Sequence, residues 1–387
     1  MASVILVLNT GSSSIKFSLY DGTKIQLTGQ ISGLGAVPTI DLKSHISSTH
    51  MERPLTPKEG QDHRAAIAAL LRVLEEELDG CHVDAVGHRV VHGGTKYTGP
   101  VRITDEVLNE LARLEPLAPL HQPHNLAGIR AARTAFPGAS QTACFDTSFH
   151  RNHPWVNDTF ALPRNLYDEG VRRYGFHGLS YEYICDYLKV SAPDVYAGKV
   201  IVAHLGNGAS MCAIRDGQSI GSTMGFTALD GLPMGTRCGQ LDPGAVLYLL
   251  TTKGMTADEV SDLLYKESGL KGLSGMTQDM RTLTLSDDPK AAQAIDYYVF
   301  RARRELGAMA AVLSGVDTFV FTGGIGENAA GIRSRICASQ HWLGMEIDEN
   351  KNIANAVDIS TETSRMNVLV IPTNEEEMIR RHTENLM

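Results

Sequence analysis

Apolar residues in this chain gather into short runs that stop at glycine, and each stop carries polar side chains. The first run is Val4-Ile5-Leu6-Val7-Leu8. It breaks at Asn9-Thr10-Gly11-Ser12-Ser13-Ser14, resumes through Ile15, Phe17, Leu19 and Tyr20, and closes at Asp21-Gly22. This pattern predicts strand, tight loop, strand. Residues 62–78 predict a helix stopped by Asp79-Gly80. Residues 83–91 read as a buried strand broken by His92-Gly93-Gly94. Thr104 is placed to cap a helix over 105–114, ended by Pro116 and Pro119. Residues 141–145 form a strand that runs into Asp146. Residues 23–58 are polar and rich in Gly, Pro, Ser and Thr, and predict only short strands and loops.

The second half opens irregularly through Arg172-Arg173-Tyr174-Gly175-Phe176-His177-Gly178, then a helix at about 180–188. Residues 199–203 predict a strand ending in His204-Leu205-Gly206-Asn207-Gly208. Residues 211–214 are its partner, closed by Asp216-Gly217. Thr256 and Glu259 have capping-box spacing. Asp288-Pro289 opens a long helix to about 313, with Gly315 past its end. Residues 317–321 predict a strand entering Thr322-Gly323-Gly324-Ile325-Gly326-Glu327-Asn328. After a last strand at 367–371, Asn374 caps a final helix that begins Glu375-Glu376-Glu377.

One internal echo organises these elements. Shifted by 195 residues, Gly11 falls on Gly206, Ser12 on Asn207, and Asp21-Gly22 on Asp216-Gly217. Two copies of one domain, each opening with a strand–loop–strand hairpin, explain the echo; two coincidental hairpins are the alternative. A length of 387 residues also favours two domains. The loop-rich stretch around Pro154 and Trp155 marks the change between them.

Composition narrows the class. Hydrophobic residues make up 43% and charged residues 20%, as in ordinary globular proteins. The net charge of −9 argues against a general nucleic-acid or anionic-membrane binder. The start Met-Ala-Ser has no basic leader, and no apolar stretch reaches the ~20 residues of a membrane span. The six cysteines are scattered with no C-x-x-C, so neither a zinc site nor a disulfide framework is expected. A reduced, cytoplasmic protein fits.

The candidate chemistry sits where strands end. The first loop offers Asn9, Ser12, Ser14 and, just beyond, Lys16. Short donors and a lysine suit an oligophosphate, although the same residues also make a solvated Gly-Ser hairpin. Arg89, among valines, is either a buried ion pair or a fork for carboxylate or phosphate. Arg237, in a glycine-flanked loop, reads the same way. Asp146 follows a strand, where α/β sheets place ligand-binding groups, or it caps a helix. His121 and His177 stand beside Pro and Gly, off any helical face. The glycine loops at 204–208 and 323–327 lack the lysine of a Walker loop and fit a nucleotide held by backbone. Glu375 could reach a hydrated Mg²⁺, or complement the helix dipole as Glu376 and Glu377 do.

In order, these motifs resemble the acetate kinase family over nearly the whole chain, from residue 4 to about 376. The resemblance rests on Asn9-x-Gly11-Ser12-Ser13-Ser14-x-Lys16, Arg89-Val90-Val91-His92-Gly93-Gly94 and Phe145-Asp146-Thr147-x-Phe149-His150. Further matches are Arg173-Tyr174-Gly175-Phe176-His177-Gly178, His204-Leu205-Gly206-Asn207-Gly208, Met234-Gly235-Thr236-Arg237, Gly323-Gly324-Ile325-Gly326-Glu327-Asn328 and Thr373-Asn374-Glu375-Glu376.

The resemblance implies an α/β fold of duplicated ribonuclease-H-like (actin-like ATPase) domains flanking a nucleotide cleft. It sets the first domain at 1–147 plus 374–387 and the second, with the nucleotide loops and a dimer interface, at 148–373. It implies a homodimer and reversible, Mg²⁺- or Mn²⁺-dependent phosphoryl transfer from ATP to acetate, giving acetyl phosphate and ADP. By position, Arg89, His121, Asp146, His177 and Arg237 match the active-site cluster. Val91, Leu120 and Phe176, beside Arg89, match the acetate pocket. Asn9 and Glu375 match the metal site. His204, Leu205, Gly206, Asn207, Gly208, Asp279, Met280, Arg281, Gly323, Gly324, Ile325, Gly326 and Glu327 match the nucleotide segments. Read with them, Ser12, Ser14 and Lys16 face the phosphates. Ala228 stands where many such kinases carry proline, which keeps propionate or butyrate open as acceptor. A chaperone-like or filament ATPase switch is the alternative of another class; it needs the glycine loops but not the Arg, His and Asp set.

Overall fold

The computed structural model describes residues 3–11, 14–34, 37–77 and 82–387. The chain divides into two compact units. Unit 1 is Met1–Phe149 with Asn374–Met387, and unit 2 is His150–Thr373. Ser12, Ser13 and Cys81 lie outside the described residues.

Unit 1 is built on eight strands: β1 (Val4–Thr10), β2 (Ser14–Asp21), β3 (Lys24–Ser32), β4 (Thr39–Ser44), β5 (His50–Pro54), β6 (Ala85–Val90), β7 (Val101–Arg102) and β8 (Ser140–Phe145). They lie in the order β5-β4-β3-β2-β1-β6-β8-β7. β1 pairs antiparallel with β2 and parallel with β6, and β6 pairs parallel with β8. The polar stretch after residue 23 therefore does more than loop: β3, β4 and β5 extend the sheet as an antiparallel meander. Its alternation is legible in β4, where Ile40, Leu42 and Ser44 are buried and Asp41 and Lys43 exposed.

The helix His63–Glu77 places Ala66, Ile67, Leu70, Val73 and Leu74 on one face, at helical spacing. That face packs on Leu6, Leu8, Phe17 and Leu19 of the sheet. The final helix, Glu375–Asn385, packs against β1 and β6. Gly87 permits this approach, since a Cβ there would stand 2.3 Å from Thr383 Oγ1 and 2.6 Å from Ile379 Cγ2.

Unit 2 holds five strands: β9 (Lys199–Leu205), β10 (Ala209–Arg215), β11 (Gln218–Ser222), β12 (Thr318–Thr322) and β13 (Asn367–Val370). Their order is β11-β10-β9-β12-β13. β9 is antiparallel to β10 and parallel to β12, and β12 is parallel to β13. This repeats the β3-β2-β1-β6-β8 core of unit 1, strand for strand and direction for direction. The helix Pro289–Leu313 packs across β10 and β11. It begins at the Asp288 cap, as the Asp-Pro pair predicts.

The echo of 195 residues is exact for the first strand, since β1 and β9 start at 4 and 199. It then slips by one. Thr10 pairs with Ile15, but Leu205 pairs with Ala209, so the second loop is one residue shorter. Gly22 and Asp216, both at positive φ, are therefore the matching turn residues, rather than Asp21 and Asp216. Among the described residues no helix is long and apolar enough to cross a membrane. Cys185, Cys212, Cys238 and Cys337 are free thiols.

Candidate active site

In unit 1, functional side chains converge at the carboxyl ends of β1, β6 and β8. Arg89, on β6, donates from Nε and Nη2 to the two carboxylate oxygens of Asp146, at 2.9 and 2.6 Å. Its Nη1 donates to Asn9 Oδ1 at 3.2 Å. Glu375 Oε2 stands 3.9 Å from Nε. Asp146 is buried, and its burial is tolerated because the guanidinium fork meets both oxygens. It is thus an ion-pair partner rather than a helix cap. Burial by itself would lower the Arg89 pKa, but Asp146 and Glu375 outweigh it and hold the guanidinium charged. Burial raises the Glu375 pKa to about 7, with Arg89 opposing the shift and Asp146 and Glu376 adding to it.

Lys16 pairs across the hairpin with Asn9 and is exposed, and Ser14 begins β2. His121 is the N-cap residue of the helix Gln122–Ala135, with no side-chain capping bond. Val91 is buried and Leu120 half-buried. The loop after β6 is fixed by side chains the sequence reading passed over. Asn125 Oδ1 accepts from Val91 N and its Nδ2 donates to Thr10 O, at 3.0 and 2.6 Å. Gln122 bonds both the N–H and the C=O of His92, and Thr147 Oγ1 accepts from Gly93 N. Gln122 and Asn125 are buried polar residues on a helix, a pattern that signals such a clamp.

In unit 2, His177 sits in the left-handed region (φ 58°) at the start of the helix Gly178–Ser191. Its Nδ1 meets Ser210 Oγ at 2.8 Å, and Tyr181 Oη meets the same hydroxyl at 2.5 Å. The His177 ring stacks on His204, centroids 4.3 Å apart. Arg237 Nη1 donates to Ala228 O at 2.7 Å. A Cβ on Gly208 would lie 2.9 Å from His177 Nε2 and 3.1 Å from Arg237 Nη2. The loop after β9, His177 and Arg237 therefore meet around one glycine. Phe176 is buried.

Beside this group lies a cavity of about 570 Å³, a size usual for small-molecule sites. Of the sequence candidates it is lined by Gly206, Asn207, Asp279, Met280, Arg281, Gly324 and Ile325. The sequence reading missed Gly235, Leu270, Gln278, Thr284, Leu285, Asn328 and Ala329. His204, Leu205, Gly208, Gly323, Gly326 and Glu327 do not line it. The Leu205 side chain lies in the core. Glu327 turns inward, accepting from Gly323 N and Thr373 N at 2.8 and 3.1 Å. Gly323 has φ +76°, and a Cβ there would stand 2.8 Å from Leu205 O. These residues shape the loop, while Gly324, with open space at its Cβ position, faces the cavity.

The donor set suits a hard divalent cation. Asn9 and Glu375 offer oxygen, and among the described residues no three His, Cys, Asp or Glu side chains gather as a full metal cage. A cation that keeps its waters and binds through one or two protein oxygens and substrate phosphates fits that arrangement.

A family model described as the Acetokinase family matches residues 4–381. The acetate kinase of Methylocella silvestris is 54% identical, over 100% of this chain and 98% of that one. The acetate kinase of Rhodopseudomonas palustris strain TIE-1 is 51% identical, over 100% and 99%. Two solved structures cover both chains completely at 36% identity: Porphyromonas gingivalis acetate kinase, with a TM-score of 0.87, and a propionate kinase from Francisella tularensis, with 0.92. Together with the repeated strand order, these likenesses assign the duplicated actin-like ATPase fold. By sequence and by structure, over its full length, the chain belongs to the acetokinase family.

Proposed function

We propose that this chain transfers the terminal phosphoryl group of ATP to acetate, reversibly and in line, giving acetyl phosphate and ADP. The observation that carries the reading is the cavity of unit 2, where two glycine loops and the Asp279-Met280-Arg281 turn surround a space of nucleotide size. Its glycines offer backbone N–H groups to phosphates, and Leu270, Met280 and Leu285 offer apolar surface to a base.

Mg²⁺ would be the metal, with Asn9 and Glu375 the residues that would hold it, and when bound it would neutralise charge on the phosphates. Acetate is ionised at neutral pH and needs no general base. Arg89, fixed at both ends of its fork by Asp146, offers positive charge to the carboxylate or the moving group. Arg237 and His177 donate hydrogen bonds to the phosphoryl oxygens as charge builds on them. His121, by its place in the family's active-site cluster, serves the same transfer. Val91, Leu120 and Phe176 receive the methyl group, and Ser12, Ser14 and Lys16 attend the phosphates.

A second reading, propionate as acceptor, is favoured by Ala228, a small residue whose carbonyl holds Arg237. The deciding assay is kcat/KM for acetate, propionate and butyrate with ATP, trapping the acyl phosphate with hydroxylamine. Acetate should lead by more than about tenfold over butyrate. No acyl hydroxamate from any of the three overturns the reading.

The working form is a homodimer in the cytoplasm, a compartment that keeps thiols reduced. The helix Pro243–Thr251 (PGAVLYLLT) is apolar, yet none of its residues is buried, and Leu247 is 60% exposed. A second copy of the chain covers it. Leu247→Glu should yield monomers in analytical ultracentrifugation.

A further inference from the structure

A hydrogen-bond relay stands behind His177, and it passes through buried His150, a residue given no role in the phosphoryl transfer. His150 Nε2 lies 2.9 Å from Phe176 O, and its Nδ1 lies 2.8 Å from Ser219 Oγ. The same hydroxyl lies 2.6 Å from His153 Nε2 and 3.1 Å from Cys212 Sγ. His150 and Ser219 are buried and His153 is half-buried.

The proton order follows from what each atom can do. A carbonyl oxygen only accepts, so His150 Nε2 carries the hydrogen. Burial keeps the ring neutral, so Nδ1 is an acceptor. Ser219 must then donate to Nδ1, and its oxygen accepts from His153 Nε2–H. The relay runs one way: His153, Ser219, His150, Phe176 carbonyl.

The end of the relay is the peptide that joins Phe176 to His177. That segment is under backbone strain at His177, a non-glycine residue at φ +58°, while Gly175 beside it takes φ +74° without strain. A non-glycine residue in the left-handed region costs free energy and persists only where its surroundings over-determine it. The surroundings here are specific. A Cβ on Gly175 would stand 2.6 Å from His150 Cγ, so the ring lies flush on the backbone. Tyr181, whose hydroxyl meets Ser210 beside His177, sets its ring edge-on to His150 at 5.7 Å.

We infer that His150 is a positioning residue: by donating to the Phe176 carbonyl it holds His177 in its left-handed conformation, with Nε2 beside Gly208 and Arg237. This rests on the reading of His177 as a donor to the transferred group. Without the bond, the strained peptide relaxes and the imidazole moves off line. Misplacement of that size reduces turnover rather than nucleotide binding.

The test compares His150→Leu, His150→Gln, Ser219→Ala and His177→Ala by steady-state kinetics and thermal unfolding. His150→Leu should lower kcat by on the order of 10- to 100-fold, with KM for ATP within about twofold. His150→Gln, whose amide N–H can reach the same carbonyl, should recover most of the loss. A merely structural role would instead move Tm and both KM values, with Gln no better than Leu. Should His150→Leu not fold, Ser219→Ala, which unseats the ring without removing it, should show the same split to a smaller degree.

In the unaltered protein, imidazole ¹⁵N shifts should place the proton on Nε2 of both His150 and His153. A kcat within about twofold of normal in folded His150→Leu overturns the inference, as does an Nδ1–H tautomer at His150. If His177→Ala is itself harmless, the reading of His177 fails instead. If only His177→Ala is harmful, the positioning role alone fails.

Discussion

The two units share one strand order and spend it differently. Through the parallel pairings, Asn9 at the end of β1 corresponds to His204 at the end of β9. Arg89 corresponds to Thr322, and Asp146 to Thr373. Where unit 1 sets a bidentate ion pair, unit 2 sets two threonines bridged by Glu327, which takes the backbone N–H groups of Gly323 and Thr373. Unit 1 presents a bidentate ion pair between side chains; unit 2 presents backbone donors, the stacked His177 and His204 rings and the Arg237 guanidinium. The difference teaches that this fold fixes where chemistry sits, at the carboxyl ends of β1, β6 and β8 and their counterparts, and leaves its kind to two or three side chains.

The sharpest way to break that comparison is to exchange its matching members. Arg89→Ala should lower kcat/KM for acetate by on the order of 10³-fold. It should also lower Tm, because Asp146 is left buried and unpaired. Thr322→Val, at the matching place, should cost less than about tenfold. Equal losses would abolish the division of labour.

Next come two neighbouring glycines. Gly324→Ala adds a methyl group that meets no protein atom, so Tm should hold while KM for ATP rises by about tenfold. Gly323→Ala, at φ +76° and against Leu205 O, should instead destabilise the fold by about 1–3 kcal/mol. If Gly324→Ala leaves ATP binding unchanged, the backbone of that loop does not face the nucleotide.

The smallest effect is on acid stability. Burial lowers the His88 pKa to about 4 in unit 1, and the His150 and His153 values to about 3 and about 2 in unit 2. The His88 shift is opposed by its 2.7 Å bond to Gln141. All three have folded pKa values below the ~6.5 of the unfolded chain. Their contribution is full above that value and is lost as pH falls from it, completely by about 4 for His88, about 3 for His150 and about 2 for His153. Tm followed from pH 7 to 4 should drop, and His88→Gln should make that drop shallower. A Tm rising over that range would contradict neutral buried imidazoles.

Much of this was legible in the chain. The hairpin echo, the caps at Thr104, Asp288 and Asn374, and the strand-end placement of Arg89 and Asp146 all follow from local chemistry. The cavity wall was less so. Leu270, Gln278, Thr284 and Leu285 lie on short helices and loops with no glycine signature, and only tertiary packing brings them to the β9 and β12 loops. Leu205 stands inside a glycine motif while its side chain is buried in the core, so only its backbone is offered to the loop. Glu327, a polar residue at a loop end, spends its carboxylate on the loop's own backbone.

The helix Glu375–Asn385 closes unit 1 after all of unit 2 has been made. A ribosome therefore releases β1 and β6 long before the element that seals them at Gly87. The nascent sheet waits with that face uncovered while a whole second unit folds, a period in which exposed apolar surface invites misassembly. The same helix delivers Glu375 to Arg89. No unfinished chain carries the complete ion cluster, so the timing of synthesis keeps the site unassembled until its scaffold is whole.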